Sequence, residues 1–282
     1  MIFLVCIGLF LMFYKYLGPE RINVLDGLKI RFTQPVSLND PFESSRLIDI
    51  SPRIAPLLDS IDPELDEIWA RTSEEEKTPE NLKALMDLKI STRDNIRLET
   101  SPHVFGKSFM ETCGSRIGVL SLSRNFDNLL MWNNYAKEHT GFVIGFNPGH
   151  DFFRCPTFSG EPSQPRNVYY TSQRTVISEH DSDLFYSQLL CEKPIEWAYE
   201  EEVRIFRLLT QESISPENTL TPPVHLFEIP KDAIKSIYVG ANSDNVLMDK
   251  IRNNIKCHDL DVDFYTMSLS TTQFKLVASK IE

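Results

Sequence analysis

At 282 residues, with 41% hydrophobic and 11% aromatic side chains, the chain carries enough apolar surface to bury a full core without disulfides or metals. Forty acidic residues against 29 basic ones leave a net charge of -11. This argues against sequence-independent grip on nucleic acid, which draws its affinity from clustered Lys and Arg releasing phosphate counterions. Five cysteines, Cys6, Cys113, Cys155, Cys191 and Cys257, are widely spread and never form a C-x-x-C pair. They suggest no disulfide framework, disulfide-linked partner or zinc site, and they fit a reducing, cytoplasmic compartment.

Met1 to Phe13 form an uninterrupted apolar run. As a helix it would reach only roughly 20 Å, short of a hydrocarbon core of about 30 Å. It also lacks the preceding basic residue and small-residue cleavage site of a signal peptide. Residues 1–12 are therefore expected to be an extension upstream of a functional start at Met12, a packed N-terminal element, or a short membrane-associating tail. Residues 13–282 are expected to form a single domain.

From Tyr14 the pattern predicts a short strand, a helix opened by Pro19-Glu20 and closed by Gly27, and a strand Leu28 to Phe32. Gln34-Pro35 and Asn39-Asp40-Pro41 then predict an ordered loop, because each proline biases its predecessor away from the α region. Residues 51 to about 100 turn charged and helical, with Thr78 placed as an N-cap before Pro79 and Ser73 to Glu76 offering a capping box. They read as a helical insertion facing solvent.

Ile117 to Ser123 alternates, with Val119, Ser121 and Ser123 on one face and Leu120 and Leu122 on the other, as a strand should. A helix from about Asp127 places Trp132, Tyr135, Ala136 and His139 at i, i+3, i+4 and i+7, and Gly141 closes it before a strand Phe142 to Phe146. Arg154 to Arg166 reads as a loop, Val168 to Thr171 as a strand, Ser182 to Glu192 as a helix and Trp197 to Leu209 as a strand. Apolar runs at Val224 to Ile229 and Ser236 to Val239, a helix after Asp244 and a strand Val262 to Tyr265 complete the core. The expected architecture is α+β, with a mixed or split β-sheet, flanking helices and the helical insertion.

The densest polar cluster is Trp197-Ala198-Tyr199-Glu200-Glu201-Glu202-Val203-Arg204. On a strand, period two puts Glu200, Glu202 and Arg204 on one face. Two carboxylates about 7 Å apart repel by roughly 0.6 kcal/mol in water and about 2.4 kcal/mol at an effective dielectric of 20. In a cleft that repulsion lifts one pKa while Arg204 holds the other group ionised; on an open face the same residues are an ordinary solvated ion pair. Trp132, Tyr135 and His139 could stack a planar ligand and offer an acid or base, or simply pack as core. Asn39-Asp40-Pro41-Phe42-Glu43 could form a binding loop or a well-specified turn.

Four pieces in order carry a family resemblance. They are Tyr14-Lys15-Tyr16, Ser37-Leu38-Asn39-Asp40-Pro41-Phe42-Glu43, Met131-Trp132-Asn133-Asn134-Tyr135-Ala136 with His139-Thr140-Gly141-Phe142, and Trp197 to Arg204. In these the chain resembles the bacterial family of domain of unknown function 2971, whose name carries no activity. Its order of elements, with a Ser-x-Ser strand followed by a Glu-x-Glu strand, also looks like the ADP-ribosyltransferase arrangement. That resemblance implies NAD as a ligand, with Glu202 stabilising the cation left as nicotinamide departs and Glu200 facing an acceptor. It further implies that Ser121 or Ser123 braces the site, and that Lys15 or Arg21 stands where the superfamily has an early cofactor-gripping Arg or His. The competing expectation is a non-catalytic pocket for a small ligand or peptide, in a toxin or phage-defence context.

Overall fold

The computed structural model describes residues 12–155, 163–178, 188–215 and 218–281. The apolar run up to Leu11, residues 156–162 of the expected loop and residues 182–187 of the expected helix lie outside the described residues. In chain order the strands are β1 (Phe13–Leu17), β2 (Lys29–Phe32), β3 (Leu47–Asp49), β4 (Ile117–Ser123), β5 (Phe142–Phe146), β6 (Arg166–Asn167) and β7 (Tyr169–Thr171). They continue with β8 (Val176–Ser178), β9 (Glu192–Pro194), β10 (Glu202–Leu208), β11 (His225–Glu228), β12 (Ile234–Val239), β13 (Asp263–Leu269) and β14 (Leu276–Lys280). The α-helices used below are α1 (Asn23–Asp26), α2 (Ser51–Arg71), α3 (Pro79–Glu99), α4 (Pro102–Cys113), α5 (Leu129–Tyr135) and α6 (Asn245–His258). Among the described residues no helix is long and apolar enough to cross a membrane.

The fold is α+β, built on an eight-stranded sheet in the order β14-β13-β12-β5-β1-β4-β10-β6. The sheet is mixed, because β12 and β13 run parallel while the other neighbours are antiparallel. Its weakest seam is central. β4 and β10 pair along their whole length, from Glu202 opposite Ser123 to Leu208 opposite Ile117, and β1 pairs with β5 from Phe13 to Leu17. Between β1 and β4, only Tyr14 opposite Ser123 is in register.

Strand alternation sorts the two faces. Leu120 and Leu122 of β4, Val203 and Ile205 of β10, and Phe13 and Leu17 of β1 join the larger core, which Leu247 and Ile251 of α6 cover. Tyr14, Tyr16, Val143 and Tyr238 lie on the other face beneath Met131 and Trp132 of α5. A third cluster packs Met110 of α4 on Ile48 of β3 and Ile177 of β8.

Three expected elements differ. The strand expected from Trp197 begins only at Glu202, since Pro194 leads into a 3-10 turn at Ile195–Glu200 and Glu201 then adopts a left-handed conformation with φ 45°. Helix α5 stops at Tyr135 rather than running to His139, and Lys137, Glu138 and His139 have φ of 46°, 54° and 66°. The reversal is forced by crowding at Gly141, where a Cβ would sit 2.1 Å from the Leu17 carbonyl oxygen, so the chain must curl tightly to bring β5 beside β1. Glu192, expected to end a helix, opens β9.

In the charged stretch the helices are α2 and α3. Thr78 caps α3, its side chain accepting from the Asn81 N–H. Ser73 and Glu76 bond each other in the turn between the two helices instead of forming a capping box. Strand β14, at the sheet edge, had no expected counterpart.

Candidate functional site

A cavity of about 210 Å³ is walled by both strands of the weak seam. Tyr14, Lys15 and Tyr16 come from β1, Ser121 and Ser123 from β4, and Glu202 and Arg204 from β10. Asn39 and Glu43 descend from the loop before β3, Tyr135 from α5, and Lys193 and Glu200 from the segment leading into β10. The left-handed residue Glu201 has a consequence for the site. Glu200 and Glu202 do not share a strand face by period two, yet the kink between them leaves both lining the same cavity.

The buried charges form one connected network. Arg204, 1% exposed, donates from Nε to Glu202 Oε1 at 2.8 Å and from Nη2 to Glu202 Oε2 at 2.9 Å, a bidentate pairing. It also bonds Glu43 Oε1 and the Leu190 carbonyl. Lys193 donates to Glu200 at 2.6 Å and reaches Glu202 at 3.4 Å. The Tyr135 hydroxyl donates to Glu200 and accepts from the Asn39 side chain at 2.7 Å, so the loop, α5 and the acidic segment are tied together. The Tyr170 hydroxyl accepts from the Glu202 backbone N–H at 2.8 Å.

The two neighbouring carboxyls are driven in opposite directions. Burial alone would raise Glu202, but Arg204 and then Lys193 outweigh it and hold the group down at about 2. Burial raises Glu200 above the ordinary carboxyl range, against the pull of Lys193 and Tyr135. Glu202 is thus fixed and ionised at neutral pH, while Glu200 has the poise of an acid or base. Burial also draws Lys15 down to about 8, and its Nζ donates to the Ser121 carbonyl at 2.9 Å.

Ten residues expected at the site line this cavity: Tyr14, Lys15, Tyr16, Asn39, Ser121, Ser123, Tyr135, Glu200, Glu202 and Arg204. Four others do not. Trp132 is fully buried core, its indole N–H donating to the Phe126 carbonyl at 2.7 Å. His139 lies in the left-handed turn, its ring parallel to that of Trp132 at 6.3 Å, and burial lowers its pKa. Asp40 is a turn former whose Oδ1 accepts from the Phe42 N–H, and Phe42, 47% exposed, sits under the Arg174 guanidinium. Arg21, the other candidate cation, is not on the wall.

Sequence reasoning missed Lys193, and it read Glu43 only as the end of a possible binding loop, with no charge role. Glu43 closes the Asn39-Asp40-Pro41-Phe42-Glu43 piece, where turn chemistry drew attention to Asn39, Asp40 and Phe42 instead. Lys193 follows Leu189-Leu190-Cys191 and precedes Pro194-Ile195, and charges embedded in an apolar stretch are a signal for a buried pair.

Residues 131–205 match the family model described as protein of unknown function (DUF2971). This span holds Tyr135, Lys193, Glu200, Glu202 and Arg204, whereas the β1, β4 and Asn39–Glu43 walls lie outside it. No curated protein and no solved structure matches the chain.

Proposed function

From a chain whose DUF2971 match supplies about a third of the cavity wall, we propose an ADP-ribosyltransferase-like enzyme that uses NAD. One observation carries this reading: Glu200 and Glu202 line a half-open cavity together with the serine-bearing and Tyr-Lys-Tyr strands, rather than standing on a flat face. Among the described residues Glu43, Glu200 and Glu202 take Arg204 and Lys193 as their ion-pair partners, and Lys15 adds a third cation to the wall, so the charges balance when all are ionised. Beside the ionised Glu202 carboxylate the local field favours a ligand or transition state that carries positive charge, as the pyridinium ring and the oxocarbenium-like sugar both do.

In this reading the cavity takes the nicotinamide–ribose end of the dinucleotide, since about 210 Å³ is smaller than the sites that enclose whole drug-sized ligands. Tyr14 and Tyr16 form part of the wall, Glu202 supplies fixed negative charge, and Glu200, bonded by Tyr135, accepts the proton of the incoming nucleophile. Of the two early cations, Lys15 is the one on the wall. Incubation of the protein with NAD, followed chromatographically, is expected to release nicotinamide, and Glu202→Gln is expected to cut the rate by about 100-fold or more. Absence of both nicotinamide release and any rise in melting temperature with NAD would remove the reading.

A second reading is favoured by the Arg204 bidentate pairing, which already occupies both Glu202 oxygens. The cavity would then be a non-catalytic pocket for a small ligand. NAD would raise the melting temperature without releasing nicotinamide.

A further inference from the structure

Two lysines line the cavity, and their surroundings set them apart. Lys193, 3% exposed, is held by Glu200 and Glu202; burial would lower its pKa, but the carboxylates around it raise it instead, so it stays charged. Lys15 is only partly buried and its Nζ meets one backbone carbonyl, that of Ser121. It makes no ion pair among the described residues, because Arg204 and Lys193 engage Glu43, Glu200 and Glu202. It is the amine of this cavity with bonding capacity to spare.

We propose that Lys15 is a nucleophile that condenses with an aldehyde or ketone admitted to the cavity, and that Glu200 supplies the proton with which the carbonyl oxygen leaves as water. The neutral amine attacks the carbonyl carbon, forming the C–N bond while the carbonyl π pair moves onto oxygen. One nitrogen proton passes to that oxygen. The Glu200 carboxyl then protonates the resulting hydroxyl, the C–O bond breaks, water departs and the nitrogen pair closes a protonated imine beside the Glu200 carboxylate. No oxidant or reductant is needed, and the step goes beyond the NAD reading because it requires only a carbonyl compound.

The surrounding charges suit these roles. Burial lowers Lys15 to about 8; Glu202 and Glu200 oppose this while Arg21 and Arg31 add to it, and Glu43, Lys193 and Arg204 complete the charged wall. At pH 7 roughly a tenth of Lys15 then carries a free lone pair, against far less than a hundredth for a solvated lysine. Glu200, raised by burial, keeps a proton to higher pH than an exposed carboxyl does.

Reductive labelling of the intact protein tests this directly. Glyceraldehyde and cyanoborohydride at pH 7, followed by peptide mass mapping, are expected to modify Lys15 about tenfold or more faster than Lys137, whose side chain is 67% exposed. The preference should vanish in guanidinium chloride. Glu200→Gln should slow Lys15 severalfold relative to Lys137 in the same sample. Equal labelling of Lys15 and Lys137 in the folded protein, or a preference that survives unfolding, would overturn the inference. Neither result bears on nicotinamide release, so this inference and the NAD reading stand or fall separately.

Discussion

Two stretches of the chain handle charge in opposite ways. Around the cavity Glu43, Lys193, Glu200, Glu202 and Arg204 are all buried and share their partners in one network. In the two 21-residue helices α2 and α3 the pairs Lys89–Asp66 and Arg93–Asp62 lie at the surface, and Ile61 is the buried residue of α2 while α3 has none. Apolar side chains follow the same division: Ile68, Met86, Ile90 and Leu98 of the helices are each more than half exposed, whereas those of the sheet interior are not. The same chemical pair therefore does different things. Buried, it is costly to break because its partner is stranded without water; exposed, it is nearly replaceable.

The largest test of that contrast is Arg204→Met. It keeps much of the apolar volume but strands Glu43 and Glu202 without their shared cation, and about 3–5 kcal/mol of stability should be lost in urea unfolding. A loss below about 1 kcal/mol would mean that water reaches the cluster and that the two stretches are alike.

Acid titration sharpens the same point. Glu202 lies at about 2 when folded against an ordinary value of 4.5, so between these pH values the unfolded chain binds more protons. Its contribution, on the order of 3 kcal/mol, is present above about 4.5 and disappears as the pH falls toward 2. Glu200, raised on folding, acts with the opposite sign. The gap in stability between wild type and Glu202→Gln should therefore narrow steadily as the pH falls from about 4.5 to 2, measured by denaturant midpoints. A constant gap would contradict the assignment of that charge to Glu202.

How much of this was legible beforehand follows from the range of each signal. Alternation in Ile117 to Ser123 put Ser121 and Ser123 on the face opposite Leu120 and Leu122, and the fold keeps that division, because period two is a local property of a strand. Glu200 and Glu202 were read as sharing a face by the same rule and do line one cavity, but by way of a left-handed Glu201 that period two does not describe. Trp132 and His139 were read from a helical stripe that ends four residues early, since the limit is set by the close approach of Gly141 to β1, a contact between distant parts of the chain. Lys193, and the charge role of Glu43, were missed for a similar reason. A buried ion pair is defined by its partner, and Arg204 lies 161 residues from Glu43.

Within the helical stretch a cap should matter more than an ion pair. Thr78 supplies the side-chain oxygen that satisfies the Asn81 N–H at the start of α3, which has little tertiary packing to hold it. Thr78→Ala should cost about 1 kcal/mol. Hydrogen exchange should report the loss in α3 and leave β4 and β10 protected, because helix stability there is local.

The smallest expected effect is the most demanding check of the comparison. Lys89 Nζ and Asp66 Oδ1 are 2.5 Å apart, as short as the contacts in the cavity, so distance alone would rank this pair with them. Its surroundings differ, since the Asp66 side chain is 64% exposed and the Lys89 side chain 20%. Water and salt then screen the attraction, and ordering two long side chains offsets much of what remains. A double-mutant cycle of Lys89→Ala and Asp66→Ala should return a coupling of about 0.2–1 kcal/mol that shrinks when salt is raised to about 1 M. A coupling above about 2 kcal/mol that ignores salt would show that short distance, and not exclusion of water, sets the strength of these pairs, and the division between the two stretches would collapse.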